Sequence, residues 1–266
     1  MPMHYTHGHH ESVLRSHRWR TAENSAAHLL PHLTPDTTLL DVGCGPGTIT
    51  ADLAARVAHV TATEIGPDEL DLARAEAERR GTPNIAFEVA DVHALPYGDK
   101  AFDVAHAHQV LQHVADPVRA LRELGRVARL VAARDSDYGA FTWYPALPEL
   151  DEWLALYYAV ARRNDGEPDA GRRMLSWARA AGFTDIEVST STWCFATPDD
   201  RAFWGGMWAD RVVRSSLGRQ AVDAGLATPE DLRRIADGWL TWAADPDGFL
   251  TIVHGEVLCA SLEADS

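Results

Sequence analysis

Short apolar runs alternate with amphipathic stretches along the first half of the chain. The stretch after the first run places Ile49, Leu53 and Val57 four residues apart, which is the spacing of a core-facing helix. Regular alternation of strands and helices is typical of an α/β fold with a mostly parallel sheet. The predicted strands are residues 38–42, 60–64, 85–91, 101–106 and 130–134.

The second half of the chain has longer helical patterns and fewer strands. Residues 149–163 and 170–180 have helical spacing, whereas residues 186–195 and 252–260 have the pattern of strands. The long segment between those two strands is helical and rich in aromatic residues, and it exceeds what a connection needs. We therefore expect it to cover the substrate side of the protein.

These patterns predict a core domain with two helical additions. The predicted boundaries are 1–33 for an N-terminal helical lid, 34–195 for the core, 196–250 for a helical cap insertion, and 251–266 for a last strand that completes the core sheet.

A glycine-rich turn follows the first strand. Gly43, Gly45 and Gly47 remove every second side chain from this turn, and a helix begins at about Thr48. Glycine adopts positive φ readily and lets a ligand approach the backbone, and the helix directs its free N–H groups toward the turn. The turn therefore predicts a site for a nucleoside or dinucleotide. The dinucleotide fingerprint would require a third glycine at position 48, where this chain has threonine.

Two acidic residues at the ends of later strands support a nucleoside ligand. Glu64 ends the second predicted strand, and a carboxylate in that position can accept hydrogen bonds from both hydroxyl groups of a ribose. Asp91 ends the third predicted strand. A carboxylate after the second strand is shared by nicotinamide enzymes and S-adenosylmethionine enzymes, so Glu64 does not discriminate between them.

The whole pattern resembles the class I methyltransferases that use S-adenosylmethionine. Their first motif is acid-x-G-x-G-x-G, which begins here at Asp41, and the later F-D-V, H-V and D-P elements resemble the methyltransferases of ubiquinone and menaquinone biosynthesis. The resemblance covers residues 38–130 and implies a Rossmann-like, seven-stranded, mostly parallel sheet with helices on both faces. The chain departs from the family before Leu130, where the usual Pro-Gly-Gly turn is missing.

The resemblance also implies a set of cofactor-binding residues. An aspartate in the position of Asp91 accepts a hydrogen bond from the adenine amino group, and the N–H of the next residue, Val92, serves the adenine ring. The residues implied for S-adenosyl-L-methionine are Asp41, Gly43, Cys44, Gly45, Gly47, Glu64, Ile65, Asp91, Val92 and Gln109.

Composition restricts the partners and the compartment. The net charge of −15 disfavours binding to the phosphates of a nucleic acid, because such proteins concentrate positive charge. The three cysteines are widely separated, which favours a reducing compartment. The N-terminus does not have the pattern of a signal peptide, and no apolar stretch is long enough to span a membrane. We expect a cytoplasmic monomer or homodimer that acts on a small molecule.

The first ten residues contain four histidines, interspersed with other residue types. No carboxylate or cysteine nearby completes a recognisable set of metal ligands, so we predict no metal site. We expect this segment to be a lid. Tyr5, Arg18, Asp135 and Trp143 are the residues that we expect at the substrate or in the lid.

Methyl transfer from a sulfonium is a direct displacement, in which positioning supplies much of the catalysis. A base helps when the acceptor is a hydroxyl group or an acidic carbon. His113 and His108 follow the fourth predicted strand, and we expect His113 to be the base in preference to His108, with Asp135 and Asp137 as rivals. A helix after Gln109 would place His113 on the same face. The aromatic second half favours an apolar or aromatic metabolite as acceptor, for example a precursor in secondary metabolism.

Two other functions remain open from the sequence. A nicotinamide-dependent oxidoreductase would also use Glu64, but the missing third glycine and the presence of Asp91 count against it. A non-catalytic nucleoside-binding protein of the same fold would retain the glycine turn without turnover. Binding of S-adenosylhomocysteine without methyl transfer to any acceptor would indicate this third function.

Overall fold

The computed structural model of the protein describes residues 11–260, which divide into two compact units. The larger unit contains residues 20–136, 170–191 and 254–260, and the smaller unit contains residues 11–19, 137–169 and 192–253. Neither unit is continuous in sequence. Among residues 11–260, no helix is both long and apolar enough to cross a lipid bilayer.

The helices are α1 (Glu11–Arg18), α2 (Ala22–Ser25), α3 (Thr48–Ala54), α4 (Pro67–Arg80), α5 (Pro117–Val127), α6 (Pro148–Arg163), α7 (Ala170–Ala181), α8 (Pro198–Arg214), α9 (Ser216–Asp223) and α10 (Pro229–Ala244). The strands are β1 (Thr38–Val42), β2 (His59–Glu64), β3 (Ile85–Val89), β4 (Phe102–His108), β5 (Ala128–Ser136), β6 (Thr142–Tyr144), β7 (Ile186–Phe195) and β8 (Phe249–Ala260). Short 3₁₀ turns occur at Leu30–His32, Leu111–His113 and Tyr138–Ala140.

Parallel pairing dominates the sheet of the larger unit. Its strand order is β3-β2-β1-β4-β5-β8, and β7 also pairs with β8. The first five strands run parallel, whereas β8 is antiparallel to β5. The strand order reverses direction between β1 and β4, and open α/β sheets bind ligands at the carboxyl ends of the strands at such a point. The predicted α/β fold with a mostly parallel sheet is therefore confirmed.

Local sequence explains the helices that flank this sheet. Helix α4 begins with Pro67 after Gly66, and it ends at Gly81, which adopts a left-handed φ of 67°. Acidic residues occupy its first turn and Arg79 and Arg80 its last, as the helix dipole favours. Asp116 caps the first turn of α5 by accepting a hydrogen bond from the backbone N–H of Arg119 at 2.9 Å.

The smaller unit is helical, apart from β6, the first residues of β8 and the end of β7. Its core consists largely of aromatic side chains, and β6 pairs antiparallel with β8 from Thr142 to Tyr144. The fully buried tryptophans of this core are Trp153, Trp208, Trp239 and Trp242. Trp208, Trp239 and Trp242 lie in the helical segment that we expected to cover the substrate side, and their rings belong to this core.

Several details differ from the prediction. Within residues 11–260 the chain forms eight strands rather than seven, because residues 142–144 also pair as a strand. The segment 137–169, which we assigned to the core domain, packs with the smaller unit. Strand β3 ends at Val89, before Asp91.

The junction before Leu130 needs no Pro-Gly-Gly turn. Helix α5 ends at Val127, and Ala128 already has extended dihedral angles of −128° and 159° while its N–H still donates to the carbonyl oxygen of Leu124. Val127 and Ala128 are both fully buried, so the change from helix to strand occurs inside the apolar core. The chain therefore changes direction by packing rather than by a special turn residue.

Candidate functional site

The glycine turn between β1 and α3 has an unusual backbone. Gly43, Gly45 and Gly47 adopt φ values of 64°, 54° and 78°, a region that side-chain-bearing residues rarely occupy. The N–H of Cys44 donates to the carbonyl oxygen of Thr63 at 3.1 Å, which ties the turn to β2. Three left-handed residues in one turn explain why the sequence places glycine at alternate positions.

Close packing also requires two of these glycines. A Cβ atom on Gly43 would lie 2.5 Å from Cγ2 of Val110, and a Cβ atom on Gly47 would lie 3.0 Å from Cα of Ala73 in α4. A Cβ atom 2.5 Å from another carbon atom would force a shift, and one at 3.0 Å from the backbone of α4 would be tighter than nine in ten Cβ contacts in proteins. At Gly43 and Gly47 the turn therefore packs directly on Val110 and on α4 with no room for a side chain, and residues 43–47 are hereafter called the glycine cradle.

The side chain of Glu64 lies against this cradle. Its Oε1 accepts a hydrogen bond from the N–H of Gly45 at 2.8 Å, and its Oε2 accepts one from the N–H of Ile65 at 3.2 Å. Burial raises the pKa of Glu64, although the hydrogen bonds from Gly45 and Ile65 oppose the rise. The side chain of Ile65 is half exposed beside it. A carboxylate and an apolar side chain thus stand at the end of β2, where a ribose and an adenine ring could be held.

Asp41 lies beneath the turn. Its Oδ2 accepts a hydrogen bond from the hydroxyl of Thr50 at 2.6 Å, and its Oδ1 lies 2.8 Å from Nδ1 of His106. Asp41 and His106 are both buried. Because both oxygens of Asp41 contact buried side chains, Asp41 supports the turn from inside the protein, a different role from the ligand contact expected from the sequence.

Asp91 and Val92 follow β3 and differ in exposure. Asp91 is exposed. Its Oδ1 accepts a hydrogen bond from the backbone N–H of His93 at 2.9 Å and another from the ring Nδ1 of His93 at 2.8 Å. Burial would raise the pKa of Asp91, but these hydrogen bonds outweigh it, so the pKa is lowered and the group is an anion at neutral pH. The side chain of Val92 is buried in the core, which leaves its backbone for any contact with a ligand.

The segment of residues 109–113, hereafter the β4 turn, follows β4 and is not an α-helix. Residues 111–113 form a 3₁₀ turn, and α5 begins only at Pro117. Gln109 adopts a φ of 54°, which is a strained value for a residue with a side chain. Strain of this kind is concentrated at functional sites.

The side chain of Gln109 is engaged by two neighbours. Its Oε1 accepts a hydrogen bond from Arg20 at 2.7 Å, and its Nε2 lies 3.1 Å from Nε2 of His254. An amide nitrogen only donates, so Nε2 of His254 accepts this hydrogen bond. Gln109 therefore holds Arg20 and His254, and any contact of its side chain with the cofactor would come in addition to these bonds.

The two histidine candidates for a base differ in their surroundings. His108 is buried, and its ring stacks on the ring of His254 with a centroid distance of 6.4 Å. Burial and the charge of Arg134 lower the pKa of His108 well below its usual range. The side chain of His113 is half-buried, and burial together with the positive charge of Arg20 lowers its pKa to about 3. Both rings are neutral at neutral pH.

A row of buried polar side chains crosses one face of the sheet and was missed in the sequence. In the strand register, His108 of β4 lies beside Arg134 of β5, and Arg134 lies opposite Glu256 of β8. Nε of Arg134 donates to Oε1 of Glu256 at 3.1 Å, and the hydroxyl of Ser189 donates to Oε2 of Glu256 at 2.7 Å. Burial lowers the pKa of Arg134 to about 10, although Glu256 opposes this shift.

The signal for this row was present in the sequence. The polar residues occur at every second position of otherwise apolar strands, which places them on one face. The members in β4, β5 and β8 are His106, His108, Arg134, Ser136, His254 and Glu256.

The remaining predicted residues have varied positions. Asp135 is fully buried at the end of β5 in the larger unit, and burial raises its pKa to about 8. Arg18 and Trp143 lie in the smaller unit, where the ring of Trp143 stands edge-on to that of Trp153 at 6.4 Å. Tyr5 lies outside the described residues. No cluster of three or more histidine, cysteine or acidic residues suited to a metal ion occurs within residues 11–260.

Comparisons with known proteins support one family. A family model described as a methyltransferase domain matches residues 40–130. An uncharacterized methyltransferase of Schizosaccharomyces pombe is 32% identical over 272 residues, which cover 96% of this chain and 96% of that protein. The YcgJ protein of Bacillus subtilis has a similar fold, with a TM-score of 0.59 and 16% identity over 91% of this chain and 100% of that one. A geranyl diphosphate methyltransferase solved with S-adenosylmethionine gives a TM-score of 0.54 and 16% identity over 94% of this chain and 89% of that one.

Proposed function

This chain belongs to the class I methyltransferases that use S-adenosylmethionine, and from this premise we propose that its acceptor is a small apolar or aromatic metabolite. The observation that carries the proposal for the cofactor site is the glycine cradle with the Glu64 carboxylate against the N–H of Gly45. We further propose that the cofactor residues inferred from the resemblance form one site, in which Asp41 supports the glycine turn and the other residues contact the ligand. All of them lie in the larger unit.

The structure of the cradle fits the cofactor. Gly43, Gly45 and Gly47 carry no side chains, so at these positions only backbone atoms of the turn can meet a ligand. Glu64 would hold the ribose hydroxyls, the exposed Asp91 would hold the adenine amino group, and Ile65 would cover the ring with its apolar side chain. In this proposal Asp41 acts through the turn rather than on the ligand.

The chemistry supplied by the bound cofactor is an activated methyl group on a sulfonium. The residues of the chain then have two tasks, which are to orient the acceptor and to receive its proton where there is one. We infer that His113 receives the proton, because its ring is partly exposed whereas His108 is buried against His254. A pKa of about 3 makes His113 a weak base, so it suits an acceptor whose proton is already acidic.

The apolar acceptor is supported by the composition of the smaller unit. Partly buried aromatic side chains surround its core and keep some ring surface exposed, and those of Trp19, Phe141, Trp143 and Phe203 belong to this group. Aromatic surface of this kind favours flat apolar molecules. Arg18 and Trp143, also in this unit, remain our proposed residues for the acceptor.

A methyl-transfer assay tests this function. Purified protein is incubated with methyl-labelled S-adenosylmethionine and a panel of phenols, quinols, carboxylic acids and amines. We expect label in an aromatic or apolar acceptor, with a rate that falls in Trp143→Ala and His113→Ala. Binding of the cofactor without label in any acceptor would contradict the enzymatic function and favour a nucleoside-binding protein.

A further inference from the structure

The end of β5 holds the β4 turn through three consecutive residues. The carbonyl oxygen of Arg134 accepts a hydrogen bond from the N–H of Gln109 at 2.8 Å, and Oδ2 of Asp135 accepts one from the N–H of Leu111 at 3.0 Å. The hydroxyl of Ser136 donates to Oε1 of Gln112 at 2.9 Å. The position of the β4 turn is therefore set by β5.

The β4 turn in turn contacts the glycine cradle. Val110 packs closely on Gly43, since a Cβ atom added to Gly43 would lie 2.5 Å from Cγ2 of Val110. The same turn carries His113, and its first residue, Gln109, has the strained φ of 54°. A shift of the β4 turn would thus move one wall of the cradle and the proposed base together.

Asp135 is the centre of this arrangement, and its environment suits a neutral carboxyl group. Oδ1 is buried and has no hydrogen-bond partner within residues 11–260, whereas Oδ2 receives the N–H of Leu111. Burial raises the pKa of the carboxyl group to about 8, against the opposing N–H groups of Leu111 and Gln112. The proton therefore resides on the group at neutral pH.

Charged and titratable side chains flank Asp135 on several neighbouring elements. Arg134 and Arg20 lower the pKa of Asp135, but less than burial raises it. His108 in β4 and His113 in the β4 turn are neutral at neutral pH, as described above. Helix α7 also packs on β5, and its charged residues, Arg172, Arg173 and Arg179, are exposed. The neighbouring positive charges therefore do not cancel the effect of burial, and Asp135 keeps its proton at neutral pH.

We propose that Asp135 is a positioning residue of the methyl-transfer site, which holds the β4 turn against the glycine cradle as a neutral hydrogen-bond acceptor. This inference rests on the proposed function. An asparagine would serve the same purpose, since its carbonyl oxygen accepts the N–H of Leu111 without a charge. An alanine would leave that N–H buried and without its acceptor.

The test compares Asp135→Asn and Asp135→Ala by calorimetric titration with S-adenosylhomocysteine between pH 7 and pH 9.5. The matched control is Asp103→Asn at the other end of β4, where Asp103 accepts hydrogen bonds from the N–H of Thr38 at 2.9 Å and from its hydroxyl at 2.8 Å. At pH 7 we expect about tenfold weaker binding in Asp135→Ala and near-normal binding in Asp135→Asn and the control. Above pH 8 the unmodified protein should lose affinity relative to Asp135→Asn.

Each result decides the proposal. Equal affinity of Asp135→Ala and the control would overturn it, as would a parallel pH dependence of the unmodified protein and Asp135→Asn. Should Asp135→Ala not fold, Ser136→Ala replaces it, with roughly threefold weaker binding expected and unchanged affinity as the contradicting result. Failure of the unmodified protein to bind S-adenosylhomocysteine would instead refute the proposed function, and this inference would fall with it.

Discussion

The two units of the molecule differ in how clearly the sequence indicates their candidate binding residues. In the larger unit, the candidate cofactor site is built from backbone atoms and a few acids, and each requirement left a specific residue at a specific position, such as Gly43 and Glu64. The smaller unit instead has an aromatic core around Trp153 and Trp239. Burial requires a large apolar side chain at such positions but does not require one particular residue type. A ligand that contacts the backbone therefore leaves a motif, whereas an apolar acceptor leaves only a composition.

The largest expected difference between the two units is in stability, and it follows from truncating a core side chain of the smaller unit. The ring of Trp153 lies edge-on to Trp208 and Trp239, at centroid distances of 4.6 and 4.9 Å. Trp153→Ala should lower the free energy of unfolding by about 3–5 kcal/mol through the lost burial and the cavity. Below its melting temperature the variant should still bind S-adenosylhomocysteine normally. Calorimetry and thermal unfolding check this, and an equal loss of cofactor affinity would show that the units are not separable.

A smaller effect on stability, but a larger one on affinity, is expected at the cradle. Gly43→Ala places a methyl group against Val110, whereas Gly81→Ala at a similar φ of 67° meets no atom within 4 Å. Both variants pay about 1 kcal/mol for the left-handed backbone, but only Gly43→Ala should weaken binding of S-adenosylhomocysteine, by about tenfold or more. Similar affinities of the two variants would indicate that the cradle is not the cofactor site.

The sequence predicted the cradle well and the buried polar row poorly, for physical reasons. Left-handed φ values demand glycine, so Gly43, Gly45 and Gly47 were visible at once. His106 and Arg134 lie in strands that were recognised, but their partners, Asp41 and Glu256, are distant in sequence. Strand pairing brings them together, and the period-two pattern only shows that they share a face.

The β4 turn shows a second limit of the sequence. The sequence left the conformation after Gln109 open, and in the structure the carboxyl group of Asp135 and the hydroxyl of Ser136 bind residues 111–113 as a 3₁₀ turn. These contacts come from a strand that follows later in the chain. Tertiary hydrogen bonds therefore set the conformation of this segment and the position of His113, which local sequence preference does not determine.

A pH titration of stability sharpens the comparison further. The pKa of Asp135 is about 8 in the folded protein and near 4 when unfolded, so the folded state binds the proton more tightly. The free energy of unfolding should therefore fall as the pH rises from about 4 to about 8, by about 1.4 kcal/mol for each pH unit in that range, and level off above. Asp135→Asn should lack this contribution. Denaturant unfolding at several pH values measures it, and an identical slope in both proteins would contradict it.

The smallest predicted effect is on cysteine reactivity. Cys194 is exposed in the smaller unit, whereas Cys44 in the cradle is partly exposed and burial raises the pKa of its thiol. A thiol reagent at pH 8 should modify Cys194 first and Cys44 slowly, and S-adenosylhomocysteine should slow only Cys44 further. Mass spectrometry of the labelled peptides follows both sites. Equal protection of the two cysteines would argue against a ligand at the cradle.

The central claim is that the cradle and Glu64 bind S-adenosylmethionine. Calorimetric titration of the unmodified protein, Glu64→Ala and the control Glu88→Ala with S-adenosylmethionine, S-adenosylhomocysteine and NAD tests it directly. We predict that both adenosyl ligands bind and that NAD does not. Only Glu64→Ala should weaken binding, because we propose that Glu64, which accepts the N–H of Gly45, also holds the ribose hydroxyls. Binding of NAD alone, or unchanged binding in Glu64→Ala, would show that the cradle and Glu64 do not bind S-adenosylmethionine.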